Sequence, residues 1–555
     1  MFKGMYKNFK YRMMILETLR PYCRGIYRFW IMSFTVSLLS MAAGLITPQF
    51  YRVFIDEVII CGKFSLMLTV IVGYLGAYVL NIILDHASYY AEHRLNDTLL
   101  YRVKRRVWNG FFRLPFTAYE NISIGELKAR LEDDTSHVTS FTGSQSIGYV
   151  TALLSMLLNC GILFLIDVRL AVYSMAVIPL TLILDGALSK REGVLNESNR
   201  KNDESMVSHL HESIRGWREV KALGLYKNQE RQLVKHLKNY AMYFAVWINY
   251  WTARTLIIPK LKNDVLMRFG LYFFGGLLVI KGELEVGELL VFITYYGNLS
   301  GAVESLSGTD AALISGRPYT DRLMKSLKEA DENETKGGVK PGYDSTVSLE
   351  NVSFAYSQET GDVIRNFSLT VKRGERVAIV GKSGTGKTTV LKLICGMITP
   401  REGRVTFSGV DVKVIDLASM HSRIGYVMQD STLFNTTIRE NLMYGKENAT
   451  EKELNDAISK ANIREFVDSL PDGLDTVIGE RGIKLSGGQR QRIVLARLFL
   501  RDVDVFIFDE ATSALDQYSE NMIQKVISSI GRDKTLIVVA HRESSVSFFD
   551  RRVYL

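Results

Sequence analysis

Cysteine is scarce in this sequence, and what there is stands far apart. The 555 residues include four cysteines, Cys23, Cys61, Cys160 and Cys395, none of them in a C-x-x-C spacing. Disulfide scaffolds and zinc sites need cysteines in pairs or in clusters at short spacing. The sequence therefore predicts isolated reduced thiols and gives no support to a disulfide framework or a zinc site.

Acidic residues are nearly absent from residues 1–28, and charge of either sign is absent from the run that follows. Glu17 stands alone against seven Lys and Arg residues in that first stretch, and Phe29–Ile46 carries no charge. A cleaved signal peptide is the alternative, given Ala42-Ala43-Gly44. Its basic segment would be too long and its apolar run exceeds an ordinary signal core. We expect an uncleaved spanning helix with a cytoplasmic N-terminus.

Further charge-free runs follow in the first half of the chain. Ser65–Leu84, Val138–Ile166 and Leu170–Leu184 are uncharged, whereas Phe269–Ile280 and Leu289–Val303 are shorter. A stretch of 10–14 apolar residues is by itself more typical of a core helix than of a span. The fifth run is also preceded by four charged residues. Six spans are predicted, at residues 29–48, 65–88, 140–166, 168–188, 257–281 and 287–306.

The basic residues of the connecting segments predict the orientation. Residues 91–137 carry eight Lys and Arg residues and residues 190–254 carry twelve, while the short connections carry few. Cytoplasmic segments are the ones enriched in Lys and Arg. Both long segments are therefore expected in the cytoplasm, an arrangement that requires the doubtful fifth span. Apolar residues repeat every fourth position from Leu95 to Phe111, which predicts that the second span continues as a helical rod.

The predicted domain layout follows from these patterns. Residues 1–28 form a basic cytoplasmic segment, 29–315 a transmembrane domain and 316–346 a linker that includes the charged, Gly-bearing stretch 329–342. From Val347 the composition is that of an ordinary α/β domain, extending over 347–555. The net charge of +9 fits basic cytoplasmic loops, and the spans argue against a soluble nucleic-acid-binding protein.

A phosphate-binding loop is predicted at Val377–Leu393. A short apolar strand is followed by Gly381-Lys382-Ser383-Gly384-Thr385-Gly386-Lys387-Thr388, and an apolar helix begins after it. Glycines let backbone N–H groups converge on an anion, and the helix N-terminus adds its positive end. Lys387 supplies a point charge, and the Thr388 hydroxyl suits Mg²⁺. The alternative is a chance glycine-rich turn.

Three further sequence features favour a site that binds and hydrolyses a nucleotide. A hydrophobic strand, Val503–Phe508, ends in Asp509-Glu510, where one carboxylate suits Mg²⁺ and the next suits a general base. Leu485-Ser486-Gly487-Gly488-Gln489 precedes a helix expected from Arg490, a second anion-binding helix start. One chain does not need two such sites, but a two-fold dimer does. His541, after the strand Leu536–Ala540, is a candidate γ-phosphate sensor, although a lone histidine is usually structural.

Together these motifs resemble the ATP-binding cassette transporters, specifically exporter-type half-transporters. The resemblance rests on GKSGTGKTT at 381–389, Gln429 in YVMQD, LSGGQRQR at 485–492, VFIFDEATSALD at 505–516 and AHR at 540–542. It implies an all-α six-helix transmembrane domain with long cytoplasmic extensions, followed by an α/β P-loop ATPase domain. His541-Arg542-Glu543 departs from the family's usual HRL, and relatives continue beyond the equivalent of Leu555.

The resemblance also implies a role for each matching residue. Glu510 would be the catalytic base, and His541 would contact the γ-phosphate. Tyr356 would stack on adenine, although alone it reads as a strand aromatic. Thr388, Gln429 and Asp509 would serve Mg²⁺. The remaining nucleotide-binding residues would be Gly381, Ser383, Gly384, Gly386, Lys387, Thr389, Ser486, Gly487, Gly488 and Asp516, the signature residues acting on the partner's ATP.

The cytoplasmic loops match the family more loosely. Residues 118–131 and 212–221 look like the two loops that dock on the nucleotide domains, with Arg215 and Trp217 as candidate contacts. A solvated amphipathic helix is the alternative interpretation.

The predicted function is ATP-driven export across the cytoplasmic membrane, with ATP and Mg²⁺ at two composite sites of a dimer. Glu510, LSGGQ and His541 are all intact, so the chain is either a homodimer subunit, which we favour, or the consensus partner of a second chain. The alternatives are the consensus half of a heterodimer, a lipid flippase, and an ATP-gated channel or sensor. A small molecule, a lipid or a peptide would serve as substrate, within surrounding membrane lipid. The candidate cavity charges are Asp85, Asp185, Lys260, Asp264, Arg268, Glu304 and Asp310.

Overall fold

The structure is a computed structural model. It describes residues 2–114, 116–122, 124–332, 338–356, 361–382, 384–429, 432–479, 482, 485–509, 517–540 and 549–555. The chain divides into two compact units. One comprises Met1–Trp108 with Lys128–Leu327, and the other Asn109–Leu127 with Lys328–Leu555.

Helices make up most of the described residues up to Glu332, including those of Asn109–Leu127, which belongs to the second unit. In chain order they are α1 (Phe2–Leu19), α2 (Tyr27–Val53), α3 (Met67–Phe111), α4 (Phe116–Asn121), α5 (Ile124–Ala129), α6 (Thr135–Ser140), α7 (Ser146–Ile166), α8 (Val168–Arg215), α9 (Trp217–Ala222), α10 (Tyr226–Thr252), α11 (Ile258–Lys260), α12 (Gly270–Ile280) and α13 (Val286–Glu332). Short 3₁₀ or π-helical segments occupy Arg20–Cys23, Phe54–Ile60, Phe64–Leu66, Arg130–Asp134, Phe141–Gln145, Ala253–Ile257 and Leu261–Phe269. Helix α13 thus continues into the stretch that the sequence predicts as a linker.

Helix α3 is the predicted rod. Leu95, Leu99, Val103 and Val107 are all buried, and they form one apolar stripe in a core shared with α1 and α13. The stripe predicted from four-residue spacing is therefore confirmed. The helix ends at Phe111, and Leu114-Pro115 follows closely in the sequence, where proline disfavours helical backbone at the residue before it.

Asp167 explains how α7 and α8 follow one another so closely. Its backbone is extended, and its carboxylate accepts hydrogen bonds from the backbone N–H groups of Arg169 and Leu170 at 2.9 and 3.0 Å. A carboxylate at this position satisfies N–H groups that have no partner within the helix. The charges that interrupt the apolar pattern thus form a helix cap.

Within the described residues, four helical stretches are long and apolar enough to cross a membrane: Tyr27–Ile60, Phe64–Phe111, Gly125–Ile166 and Tyr226–Ile280. Val168–Pro179 is a shorter apolar helix. The doubtful fifth run lies in the last of the four stretches. Three of the four charged residues that precede it have partners: Lys262 is buried and donates to Ser300 and Glu304 at 2.7 Å each, while Arg268 pairs with Asp264 at 3.0 Å. The number of spans, six, stays a prediction.

The second unit is an α/β domain. Its strands are β1 (Val347–Phe354), β2 (Ile364–Val371), β3 (Arg376–Val380), β4 (Glu402–Phe407), β5 (Val410–Asp411), β6 (Ile424–Val427), β7 (Val505–Asp509), β8 (Thr535–Ala540) and β9 (Arg551–Tyr554). Its helices are α14 (Lys387–Ile394), α15 (Leu417–Arg423), α16 (Ile438–Met443), α17 (Glu451–Lys460), α18 (Arg464–Asp468), α19 (Gly487–Arg501) and α20 (Gln517–Ser528), with a 3₁₀ turn at Gly473–Asp475. Phe116 of α4 also packs against its core.

The strands form two sheets. One is antiparallel in the order β2-β1-β4-β5, and the other is parallel in the order β6-β7-β8-β3-β9. All five residues of β7 are buried, as are the first four of β3. A parallel strand covered on both faces has this continuous apolar character. The predicted order of a helical region followed by an α/β ATPase-type domain is confirmed.

Candidate nucleotide site

The glycine loop connects β3 to α14. Gly384 and Gly386 have φ values of +85° and +94°, a region in which an L side chain is strained. A Cβ atom on Gly386 would also come within 2.6 Å of Ile364 Cδ1. Gly386 is the N-cap of α14 and has no side chain to occupy the first N–H groups of the helix. The loop therefore offers backbone donors to an anion.

Lys387 lies inside the loop. Its side chain is almost fully buried, and Nζ donates hydrogen bonds to the carbonyl oxygens of Gly381 and Lys382 at 2.9 and 2.8 Å. Both partners are neutral, so the positive charge of the ammonium is not cancelled by them. A bound phosphate would meet this charge where the loop N–H groups also converge.

Asp509 sits at the carboxyl end of β7 and joins the loop to a neighbouring strand. Thr388 Oγ1 donates to Asp509 Oδ1 at 3.1 Å, and the Tyr426 hydroxyl donates to Oδ2 at 3.1 Å. Asp509 is 4% exposed. The hydroxyl and the carboxylate that are each predicted to serve Mg²⁺ thus lie within hydrogen-bond distance of each other.

Tyr426 was not predicted as part of the site. Burial raises the pKa of its hydroxyl, and the Asp509 carboxylate raises it further, so Tyr426 stays protonated and donates. Burial likewise raises the pKa of the Cys395 thiol to about 12, with Asp509 adding to the effect. Cys395 is therefore a neutral thiol beside the carboxylate. The feature of the sequence that could have identified Tyr426 is its position on the strand that leads to Gln429.

Tyr356 lies just beyond β1, beside the helix that follows the loop. Its hydroxyl shares a hydrogen bond with Thr389 Oγ1 at 3.2 Å, and Lys392 Nζ lies 5.5 Å from its ring centroid. The ring is 41% exposed, and Phe354 meets it edge-on at 5.0 Å. Phe354 and Thr389 hold the Tyr356 ring in place while part of it remains exposed, so the ring is suited to stacking on a base.

The signature stretch forms the start of α19. Ser486 is the N-cap, its Oγ accepting from Gln489 N at 3.2 Å while Gln489 Oε1 accepts from Ser486 N at 2.8 Å. The helix begins at Gly487, three residues before the expected Arg490, because this reciprocal capping box brings both glycines into the first turn. A Cβ on Gly488 would lie 2.6 Å from Ser519 Oγ, so glycine there permits α19 and α20 to approach.

Of the remaining predicted site residues, the structure describes Gln429 but not the other four. Gln429 follows β6 and is exposed. Ser383, Glu510, Asp516 and His541 lie outside the described residues. Among the described residues there is no cluster of three or more His, Cys, Asp and Glu side chains. A divalent ion here would therefore depend on hydroxyl, amide and phosphate oxygens besides Asp509.

The charged residues that are candidates for lining a cavity in the membrane half differ in their partners and in their exposure. Asp310 accepts from the buried Arg12 at 2.6 Å, and Glu304 pairs with Lys262. Asp264 and Arg268 pair with each other, and Lys260 is exposed. The Asp185 side chain lies outside the described part of the chain. Asp85 borders a cavity among helices.

The comparisons with known proteins cover both units. A family model for the ABC transporter transmembrane region matches residues 30–303, and one for the ABC transporter ATPase matches residues 364–513. An ATP-dependent lipid A-core flippase of Chromobacterium violaceum is 30% identical over 557 residues, with 99% of this chain and 94% of the relative covered. The cyclolysin secretion/processing ATP-binding protein CyaB of Bordetella pertussis is 31% identical over 532 residues, covering 94% and 73%. A solved bacterial Atm1-family ABC exporter with ATP bound matches with a TM-score of 0.81 at 24% identity, covering 96% and 94%.

Proposed function

The chain belongs to the ATP-binding cassette transporter family, and from this premise we propose that two copies of it form an exporter in which each copy supplies half of each ATP site. Within that family the chain is an exporter-type half-transporter. It hydrolyses ATP and couples the hydrolysis to export across a membrane. The sequence-based recognition of the family and of its activity is confirmed.

The observation that carries the proposal is the arrangement around Lys387. A buried ammonium, a glycine loop and the Thr388–Asp509 pair occupy one edge of the parallel sheet. Ligands of open α/β sheets bind beyond the carboxyl ends of the strands. Lys387 and the backbone of 381–389 would hold the ATP phosphates, and Tyr356 would stack on adenine.

The oxygens near the loop suit Mg²⁺. Thr388 and Asp509 provide a hydroxyl and a carboxylate 3.1 Å apart, and Gln429 follows the adjacent strand, a set of hard oxygen donors of the kind that Mg²⁺ prefers. The ion would neutralise charge on the phosphates when bound. Tyr426 would hold the Asp509 carboxylate in place by its hydrogen bond to the second oxygen.

Glu510 is the proposed general base and His541 the proposed γ-phosphate contact. Glu510 directly follows Asp509, the last residue of β7, in the sequence. A carboxylate there would take a proton from the attacking water. His541 directly follows β8, the strand between β7 and β3, so it is expected at the same edge of the sheet.

A dimer explains the second anion-binding helix start. Half-transporters of this family function as dimers. We propose a homodimer in which Ser486, Gly487 and Gly488 of one copy close over the ATP held by the loop of the other, with Asp516 linking the two sites. The capping box supports this because it fixes the first turn of α19 before any ligand arrives.

The membrane half is proposed to span the bilayer six times in each copy. The predicted spans and the domain bounds at 28/29, 315/316 and 346/347 remain those of the sequence. Helices α8 and α13 cover the fourth and sixth spans. With the N-terminus and the nucleotide-binding domain in the cytoplasm, the protein is proposed to lie in the cytoplasmic membrane.

Transport would follow from closure and opening of the two ATPase domains. Moving a two-state equilibrium from 1:99 to 99:1 requires ~5.5 kcal/mol of differential binding. Two ATP molecules enclosed by charged and backbone donors are a reasonable source of that free energy. Hydrolysis would then remove the γ-phosphate contacts and allow the domains to separate.

The test is Glu510→Gln in the full chain reconstituted into proteoliposomes. ATP binding should be retained while hydrolysis falls by ~10²-fold or more, because the water loses its base. ATP-driven solute movement should stop with it. Near-normal hydrolysis by the variant would refute the assignment of Glu510, and wild-type hydrolysis with no solute moved across a broad panel would refute export.

A further inference from the structure

A polar cavity opens among four helices of the first unit. It has a volume of ≈ 580 Å³ and is bordered by residues of α2, α3, α7 and α13. Small-molecule sites typically have volumes of ~300–1,000 Å³. The cavity is therefore large enough for one solute of drug-like size.

The lining is polar and acidic, which is unusual for a cavity between spanning helices. Hydroxyl and amide side chains and glycines make up most of it, and Asp85 is the one charged side chain among the described residues that border it. No aromatic ring and no Lys or Arg occurs among those described lining residues. An aromatic, lipophilic solute would find little to stack on here.

Asp85 differs from other carboxylates of this unit in its partners. Glu304 and Asp310 are each paired with a cation of the chain, Lys262 and Arg12. Within the described residues Asp85 has no ion pair; it accepts from Ser40 Oγ at 2.5 Å. An ionisable residue within spanning helices is costly and is normally compensated by a partner or a function. The missing counter-charge is thus one that a ligand would bring.

Asn159 supplies a second acceptor. The residue is 1% exposed, and its Nδ2 donates to the carbonyl oxygen and the hydroxyl of Ser155 at 2.7 and 3.1 Å. The bond to a carbonyl fixes the amide orientation, because only the NH₂ group donates. Its Oδ1 is buried and meets no hydrogen-bond donor within the described part of the chain. A buried acceptor in this state is costly unless a donor reaches it.

We propose that this cavity is the substrate site and that it selects a hydrophilic solute carrying an ammonium group, which binds the Asp85 carboxylate while its N–H or O–H groups reach Asn159 Oδ1. The inference rests on the proposed export function and names the class of solute exported. The neighbouring Asn81, whose Nδ2 donates to the backbone carbonyl of Ser40 at 3.1 Å, holds the α2–α3 contact beside Asp85.

The experiment measures ATP hydrolysis by the full chain in phosphatidylcholine proteoliposomes. The probes are kanamycin, spermidine and the fully N-acetylated form of each, which keeps the parent skeleton but loses the positive charge. The amines should stimulate hydrolysis and the acetylated forms should not. Asp85→Asn should raise the half-stimulating amine concentration by about tenfold or more, whereas Asp85→Glu should restore stimulation.

Two further variants separate binding from folding. Asn159→Asp adds a second carboxylate and should lower the half-stimulating concentration. Asp97→Asn removes a carboxylate of the same helix α3 that does not border the cavity, and it should behave as wild type. Equal stimulation by acetylated probes, an unchanged response of Asp85→Asn, or no stimulation by either amine would overturn the proposal. Stimulation by vesicle lipid alone, independent of Asp85, would also do so. Wild-type protein with no Glu510-dependent hydrolysis would instead refute the proposed function.

Discussion

Thr388 Oγ1 donates a hydrogen bond to Asp509 Oδ1 over 3.1 Å, and this contact joins the first turn of α14 to the end of β7. The two residues are far apart in the sequence, yet the parallel sheet brings them to one edge. A second donor, the Tyr426 hydroxyl, fixes the other carboxylate oxygen. Hydrogen bonds within the chain therefore hold the Thr388 and Asp509 oxygens and the buried Lys387 of the proposed site in position.

Lys387→Ala should weaken ATP binding by about tenfold or more, since a charge-assisted contact to a phosphate contributes ~1.5–3 kcal/mol. The matched control is Lys382→Ala in the same loop, because the Lys382 side chain is exposed. Equilibrium binding of a fluorescent ATP analogue to the detergent-solubilised chain measures both. Equal loss in the two variants would contradict the special position of Lys387.

Tyr356→Ala should also weaken ATP binding, whereas Tyr356→Phe should nearly preserve it. Stacking of a base on an aromatic ring contributes ~1–3 kcal/mol, and phenylalanine keeps the ring while losing the hydrogen bond to Thr389. The same binding assay with ATP and with inorganic triphosphate checks the reason. If Tyr356→Ala weakened the binding of triphosphate, relative to wild type, as much as it weakened the binding of ATP, the defect would not be in adenine stacking.

Asp504 should make the stability of the α/β domain depend on pH. Burial disfavours its charged form, but hydrogen bonds and positive charge from Arg423 and a hydrogen bond from Ser345 outweigh burial and hold its pKa below the usual value. A depressed pKa contributes stability above the unfolded value of ~3.9, and that contribution is lost as the pH falls through the folded pKa. Asp504→Asn should therefore lower the unfolding temperature at pH 7, and this effect should shrink as the pH falls below ~3.9 towards the depressed folded pKa.

The control for Asp504 is Asp502→Asn. Asp502 has a positive φ, which asparagine tolerates, and its side chain is 86% exposed in its pair with Lys534. Exposed pairs contribute ~0–1 kcal/mol, so this variant should unfold like wild type at both pH values. Thermal unfolding of the purified full chain, followed from pH 3 to pH 7, compares the two. A pH-independent effect of Asp504→Asn would contradict the electrostatic account.

Lys262 and Glu304 should respond unequally to mutation. Glu304→Gln leaves the ammonium of Lys262 buried with no carboxylate partner, which should cost ~1–3 kcal/mol. Lys262→Met removes the buried charge itself and leaves Glu304 half exposed, so it should cost less. Thermal unfolding in detergent measures both variants. Greater destabilisation by Lys262→Met would show that the pair is not held together by burial of the lysine.

The sequence predicted those parts of the fold that depend on local pattern. The α3 stripe and the glycine loop between β3 and α14 are patterns along one helix or one turn, and both elements occur where they are predicted. Ser486 and Gln489 also form a local pattern, but the helix start was placed too late because two glycines discouraged a helical assignment. Their reciprocal bonds satisfy the first N–H groups in spite of the glycines.

Contacts between distant segments could not be predicted. Tyr426 reaches Asp509 because β6 and β7 are neighbours in the sheet, which no local pattern states. Along the sequence, Lys262 looks like an isolated charge, and it therefore argues against the fifth span. Its partners, Ser300 and Glu304, lie on α13 about forty residues later, so the neutralising contact is invisible to a sliding window.

The central claim is that each ATP site is shared between two copies of the chain. It is tested by Thr385→Cys and Ser486→Cys together, in a chain whose four native cysteines are replaced and which carries Glu510→Gln to retain ATP. Both positions lie in described loop and helix-start segments. Oxidation with ATP bound should yield a covalent species of two chains, abolished when either cysteine is omitted or ATP is removed. A disulfide formed within single chains, or none while ATP is bound, would contradict a shared site.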